Sequence, residues 1–241
     1  MQPIVFLDDG GVMSDNERRG EQWRRLVAEF FAPRLGGDPA AWQRANRVVF
    51  DGMWAEFLAR AERAPDYDPV ADRAREMEVW LRGMAAEVGV AAPENSPDCI
   101  ALSEDAHAFI TSRVNAAFPG VPETVRALHS AGFTIYTASG EHSRDLDGYM
   151  SALAIRDCFV TLYGPDLVGV PKENPRYYER VFAHAGVAPS EALVVDDSPT
   201  RLDSAAATGA RTVLCGSQAT APSRHERIRG LPELLALLGL E

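Results

Sequence analysis

Ile4-Val5-Phe6-Leu7-Asp8-Asp9-Gly10-Gly11 joins four apolar residues to two carboxylates and a glycine pair. An uninterrupted apolar run of this length reads as a strand buried on both faces, and the glycines permit a tight turn directly after it. The pattern returns late in the chain, where Ala192-Leu193-Val194-Val195 runs into Asp196-Asp197. In an open parallel sheet the carboxyl ends of the strands line the ligand crevice, so the two acidic doublets are placed to converge on one site. Between them stands Lys172, the only lysine among 24 basic residues, in Val170-Pro171-Lys172-Glu173-Asn174-Pro175. That segment joins a strand-like stretch ending near Tyr163 to a helical pattern starting near Arg176, and a lysine in such a loop can face a ligand. Codon bias is enough to explain the wealth of arginine, but not the place where the one lysine stands.

The chain between these landmarks changes character. Ser14 or Asp15 is placed to cap a helix beginning near Asn16. Trp23, Leu26, Val27 and Phe30 then share one helical face, and Trp42, Val49, Met53 and Phe57 a second. Val70, Ala74, Met77, Leu81, Met84 and Val88 share a third. No strand pattern interrupts them. Residues from about Asp15 to Ser112 therefore read as an all-helical insertion, with breaks at Pro33–Pro39, Pro65–Pro69 and Gly89–Pro97.

Beyond it, helix and strand patterns alternate. A helix is expected over Val121–Ala131, a strand over Phe133–Thr137, a helix after Gly140, a strand around Phe159–Leu162 and a helix over Arg176–Ala185. The strand Ala192–Val195, a helix near Leu202–Thr208 and a strand at Thr212–Leu214 follow. Such alternation implies a parallel sheet with covering helices. The fold class expected is α/β: a Rossmann-like parallel core from residues 1–14 and 113–241, with an inserted all-helical cap at 15–112. Leu231–Leu238 reads as a short helix docked on the core, and Ser217–Ser223 as a flexible loop.

A formal net charge of −11 argues against a nucleic-acid surface, which normally needs a basic footprint. A small anionic substrate would then need a local cation. The three cysteines form no CxxC pair and are odd in number, which disfavours a disulfide framework or a zinc site. The N-terminal apolar run is too short for a signal peptide, and no stretch approaches the ~20 apolar residues of a membrane span. The expectation is a cytoplasmic protein, monomer or homodimer, with a small-molecule partner and neither nucleic acid nor membrane.

In chain order the candidate groups are Asp8, Ser139-Gly140, Lys172 and Asp196-Asp197. They resemble the motifs of the haloacid dehalogenase superfamily: an aspartate nucleophile after the first strand, a Ser or Thr after the second, a loop lysine, and an acidic pair. Phe118-Pro119-Gly120-Val121-Pro122-Glu123 with Gly132-Phe133 resembles the approach to the second motif. Lys172-Glu173-Asn174-Pro175 resembles the third, and Asp196-Asp197-Ser198-Pro199 with Ala205-Ala206 and Gly209 the fourth. The resemblance covers roughly residues 3–14 and 113–216, and the helical insertion resembles the cap of the superfamily's first cap subclass.

The resemblance implies a magnesium-dependent phosphatase acting on a small phosphorylated metabolite through an aspartyl-phosphate. A 2-haloacid dehalogenase-like hydrolase, or a catalytically weak ligand-binding protein on the same fold, is the alternative. It makes Asp8 the nucleophile, and it makes Asp8, the main-chain carbonyl of Gly10 and Asp197 the magnesium ligands, with Asp196 helping directly or through water. Lys172 would neutralise Asp8 and the phosphate, while Ser139 and the backbone around Gly11 and Gly140 would hold the transferring group. Arg19 either holds an anionic substrate or snorkels to solvent.

Register selects Asp8 over Asp9: only then do Gly11 and Val12 match the pattern Asp-x-Asp-Gly-Thr/Val, and consecutive strand side chains point oppositely. Two departures stand out. Position 10 is glycine where the pattern has a second aspartate acting as general acid and base. Arg201 stands where an Asp or Asn often follows the metal-binding aspartate by four residues. Ser139 could instead cap the next helix, and His142 is either a proton donor or, the better reading, a surface histidine. His107, His129, His184 and His225 lack metal-ligand spacing.

Overall fold

β1 (Ile4–Leu7) runs through the middle of a six-stranded sheet, between β2 (Ile135–Ala138) and β4 (Ala192–Asp196). β3 (Thr161–Tyr163) extends the β2 side, while β5 (Arg211–Cys215) and β6 (Glu226–Ile228) extend the β4 side. The order is β3-β2-β1-β4-β5-β6 and the paired strands are parallel. This doubly wound order reverses direction between β1 and β4, and that switch opens a crevice at the strands' carboxyl ends. This computed structural model describes residues 2–61, 68–216 and 224–240. The expected loop Ser217–Ser223 and most of the expected break Pro65–Pro69 fall outside them, as does the side chain of Val70.

The strands are hydrophobic because both faces are covered. Phe6, Tyr136 and Val194 belong to one buried layer with Tyr177, Tyr178, Val181 and Phe182 of α8 (Tyr177–Ala185). Phe6 stacks on Tyr136 at 5.0 Å and meets Phe182 edge-on at 5.0 Å. Burying each of these large side chains contributes about 1.5–3 kcal/mol. This packing fixes the start of α8 beneath the end of the sheet. α5 (Val121–Ser130), α6 (Ser143–Ala152), α9 (Pro199–Ala207) and α10 (Glu233–Leu237) make up the remaining helices of this part, together with a single turn, α7 (Pro165–Val168).

Most expected elements lie within two or three residues of their positions. β2 begins at Ile135 rather than Phe133, because Phe133 and Thr134 still lead in from the helix end, with Phe133 N–H bonded to the Leu128 carbonyl at 3.1 Å. α9 begins at Pro199, three residues before the expected start, since proline fits the first turn of a helix. α7 and β6 were not read from the sequence.

The inserted region holds α1 (Asn16–Leu35), α2 (Pro39–Ala61), α3 (Pro69–Val88) and α4 (Ser96–Thr111). Pro33 lies inside α1, so the expected break starts two residues later than the proline. Phe31, Trp42 and Trp80 form an aromatic nucleus, with Phe31 stacked on Trp42 at 5.1 Å and edge-on to Trp80 at 5.5 Å. Trp80 donates to Asn46 Oδ1 at 3.0 Å, which satisfies its buried N–H. The chain forms two compact units, Met1–Asn16 with Ala116–Glu241, and Glu17–Asn115. No helix among the described residues is long and apolar enough to cross a membrane.

Candidate active site

Leu7 pairs in register with Val195, and the Asp8 N–H donates to the Val195 carbonyl at 2.9 Å. The next residues along the two strands, Asp8 and Asp196, therefore come side by side at the switch point. Both are buried. Lys172 reaches them from the loop after α7, with Nζ 2.7 Å from Asp8 Oδ1 and 2.7 Å from Asp196 Oδ2. Carboxylate oxygens of Asp8, Asp196 and Asp197 can all lie within 4.8 Å of one another. Asp197, one residue past the strand, is the exposed member of the three.

The neighbours of these groups decide what each is free to do. Asp196 is committed to protein: Oδ2 accepts from Lys172 and from the Tyr178 hydroxyl at 2.9 Å, and Oδ1 accepts from the Ser198 N–H at 2.8 Å. Asp8 Oδ1 accepts from Lys172 and from the Asp9 N–H at 2.8 Å. Asp9 itself turns elsewhere, its Oδ1 accepting from the Ser14 hydroxyl at 3.0 Å. Ser14, read as a candidate helix cap, thus binds an acid five residues earlier and anchors the turn after β1.

Burial pushes the Asp8 carboxyl up to about 8, with Asp196 and Asp9 adding to the shift while the Lys172 ammonium opposes it. Burial alone would lower Lys172; Asp196 and Asp8 overcome it and hold the ammonium above its ordinary value. Asp197 is also raised, by burial and then by Asp196. One ammonium among three clustered carboxylates leaves the site short of positive charge.

Two glycines shape this end of the sheet. Gly11 adopts φ +82°, and a Cβ there would stand 2.0 Å from Asp197 Oδ2. No L side chain fits, so the acidic turn lies directly on that backbone. A Cβ on Gly10 would stand 2.7 Å from Asn16 Oδ1 and 3.2 Å from Nδ2. The space over Gly10 is therefore filled by the carboxamide of the first residue of α1.

Ser139 follows β2, on the other side of β1. Its N–H donates to the Tyr163 carbonyl at 3.0 Å, and its hydroxyl accepts from the Glu141 N–H at 3.1 Å. It does not cap α6; His142 takes that position and accepts from the Arg144 N–H at 3.4 Å. Gly140 lies against Lys172, where an added Cβ would be 3.9 Å from the lysine Cβ. The Tyr177 hydroxyl donates to the Ser139 carbonyl at 2.8 Å and so ties α8 to this loop. Asp8, Gly10, Gly11, Ser139, Gly140, Lys172, Asp196 and Asp197 belong to one compact unit, whereas Arg19, buried on α1, belongs to the other.

The sequence reading missed three contributors: Tyr177, Tyr178 and Asn16. The two tyrosines are consecutive and fully buried, yet both spend their hydroxyls on motif residues. The one available signal was that two phenols open a helix immediately after the lysine loop, where purely apolar residues would have packed as well. Arg201 is a third-to-fourth motif link, its Nη2 bonding Glu173 Oε1 at 2.9 Å.

A sequence model of haloacid dehalogenase-like hydrolases matches residues 11–209. A phosphoglycolate phosphatase of Vibrio vulnificus is 30% identical over 97 residues, 40% of this chain and 42% of that protein. The (S)-2-haloacid dehalogenase 1 of a Pseudomonas species is 28% identical over 131 residues, 51% of this chain and 58% of that protein. These alignments span about half the length of the curated relatives. Among solved structures, a defluorinating L-2-haloacid dehalogenase superposes with a TM-score of 0.69 at 20% identity, over 99% of this chain and 95% of that one, which is a likeness of fold. With the family model covering most of the chain on a doubly wound parallel sheet, the protein belongs to the haloacid dehalogenase-like hydrolases.

Proposed function

We propose that the protein is a magnesium-dependent phosphatase that hydrolyses a small phosphorylated metabolite through an aspartyl-phosphate on Asp8. The carrying observation is the charge of the site: three carboxylates within 4.8 Å share one lysine, and a phosphate would add more negative charge. An all-oxygen donor set of this kind suits magnesium. Asp8, Asp197 and the main-chain carbonyl of Gly10 would hold it, while Asp196 stays with Lys172 and Tyr178. When bound, the ion offsets carboxylate charge and draws electron density from the phosphate oxygens.

The chain's own groups supply the rest. Lys172 favours the ionised form of Asp8 against the burial that opposes it, and faces the incoming phosphate with a positive charge. Ser139 and the N–H groups of its loop donate to the transferring group. Asp8 attacks phosphorus, and water later cleaves the acyl phosphate. The V. vulnificus relative supports the phosphatase reading.

A dehalogenase is the second reading, favoured by the glycine at position 10 and by the Pseudomonas relative. A halide leaves without a proton, so that chemistry has no need of the second acid. Assays for phosphate release from a phosphomonoester panel, and for chloride release from 2-chloropropionate, separate the two. Phosphate release that is lost on chelating magnesium is expected. Chloride release unaffected by chelation, from protein that releases no phosphate, would replace the phosphatase with the dehalogenase.

A further inference from the structure

The glycine at position 10 removes a carboxyl group, but it does not leave a hole. Asn16 Oδ1 lies 2.7 Å and Nδ2 3.2 Å from the point where a Cβ at position 10 would be. Asn16 as a residue is exposed to solvent, while its carboxamide packs on the Gly10 backbone. It is the first helical residue of α1 rather than the residue before it, which is where side chains normally cap a helix. An amide at this place can donate and accept hydrogen bonds, but it carries no proton that titrates in water. Asp9, the acid that directly precedes Gly10, is buried and turned to Ser14.

We infer that Asn16 takes the place of the missing second carboxyl, offers a hydrogen bond there but no proton, and so confines the protein to phosphates whose leaving group departs as a stable anion. Acyl and aryl phosphates are the substrate class, and alkyl phosphate esters are disfavoured. This rests on the phosphatase reading above. In the first step an Asp8 carboxylate oxygen forms a bond to phosphorus while the bond from phosphorus to the leaving oxygen breaks. The electron pair leaves with the carboxylate or phenolate, which needs no protonation. In the second, water attacks phosphorus, the bond to Asp8 breaks with its electrons returning to the carboxylate, and the water proton passes to the phosphate released.

The test compares acetyl phosphate with β-glycerol phosphate, magnesium present, in the wild type, in Asn16→Asp and in Gly10→Asp/Asn16→Gly. General acid–base help is worth about 10²–10⁴-fold, so the wild type should favour acetyl phosphate by at least about 10²-fold beyond the ratio of the uncatalysed rates. Asn16→Asp is nearly isosteric and places a carboxylate at a helix N-terminus, so it should fold. It should raise the ratio of β-glycerol phosphate to acetyl phosphate turnover by about tenfold or more and add a new ionisation to the pH profile of kcat/KM. The double variant should show the same gain, and Gly10→Asp alone a smaller one, because Asn16 obstructs the new side chain.

Two results overturn the inference while sparing the phosphatase: equal handling of both compounds by the wild type, or acetyl phosphate turnover with no selective gain in either folded variant. Folded wild type that hydrolyses neither compound removes the phosphatase reading and this inference together.

Discussion

Asp8-Asp9 and Asp196-Asp197 are two acidic doublets on neighbouring strands of one sheet, and their members divide the work differently. In each, the first aspartate points into the site and meets Lys172 at 2.7 Å. The second members part company. Asp9 is buried and holds Ser14, so it builds the turn, whereas Asp197 is exposed and lies against Gly11, facing the crevice. The pleat explains the first pair and the break of the strands explains the second. β1 ends at Leu7, before its doublet, while β4 runs through Asp196 and ends before Asp197. A one-residue difference in where pairing stops thus sends one second acid into the protein and the other toward solvent.

The largest expected effect breaks this comparison at its first doublet. On the proposed phosphatase mechanism, Asp8→Asn should lower phosphate release by on the order of 10⁴-fold or more, since the nucleophile would be lost. Asp9→Ala should instead leave kcat within a few-fold and lower stability by about 1–3 kcal/mol, the cost of stranding the Ser14 hydroxyl. Steady-state kinetics and urea melts on the pair decide it, and equal kinetic losses would mean that both acids serve the chemistry.

Lys172→Met comes next, because one ammonium serves both doublets. Removing it should cost about 10²–10³-fold in kcat, and about 3–5 kcal/mol of stability at neutral pH from uncompensated buried carboxylates. The sign with pH follows from Asp8. Without the lysine, the influences left on its carboxyl, namely burial, Asp196 and Asp9, all raise it above the ordinary aspartate value of 3.8. The folded variant then binds protons that the unfolded chain has released, so its stability falls as pH rises from about 4 toward neutrality and recovers on acidification. Urea midpoints that stay level across that range would contradict the account.

Tyr178→Phe tests the second doublet more gently. It removes the hydroxyl donated to Asp196 Oδ2 and leaves the ring in the layer under the sheet. The expected loss is about 1.5–3 kcal/mol, the worth of a hydrogen bond to a charged acceptor, with a drop in kcat rather than a rise in KM. A change confined to KM would place the tyrosine on substrate instead.

The strand ends, the doublets and Lys172 were legible because each violates its surroundings: charges that close apolar runs, and one lysine in an arginine-rich chain. Buried strands in a parallel sheet announce themselves in the same way. Tyr177 and Tyr178 were hidden because an aromatic pair at a helix start has the same pattern whether or not its hydroxyls bind anything. Asn16 was hidden by distance, six residues from the glycine it covers, and only the turn anchored by Asp9 and Ser14 brings the two together. β6 has one buried residue in three and α7 is a single turn, so neither offers a period to read. The whole insertion was visible as helices, yet its aromatic nucleus joins Phe31, Trp42 and Trp80, of which only Trp42 belonged to an expected stripe.

The smallest expected effect concerns how the lysine loop and the second acidic doublet are held together from outside. Lys172 and Asp196 join them within the site, and Glu173 and Arg201, with side chains 17% and 23% exposed, join them again nearer the surface at 2.9 Å. A partly exposed pair of this kind is worth about 0.2–1 kcal/mol, so Arg201→Ala should shift the urea midpoint only slightly. Arg201→Asp puts an acid where the superfamily often carries one, but it faces Glu173 and should destabilise more than the alanine does. Glu173→Gln/Arg201→Asp removes that repulsion. If the outer pair only pins the loops, the double variant recovers the stability of Arg201→Ala and binds magnesium more tightly than the wild type, as calorimetry would record. Recovery of stability with weaker magnesium binding would show instead that the outer pair sets the position of Asp197, and that the two bridges act as one unit.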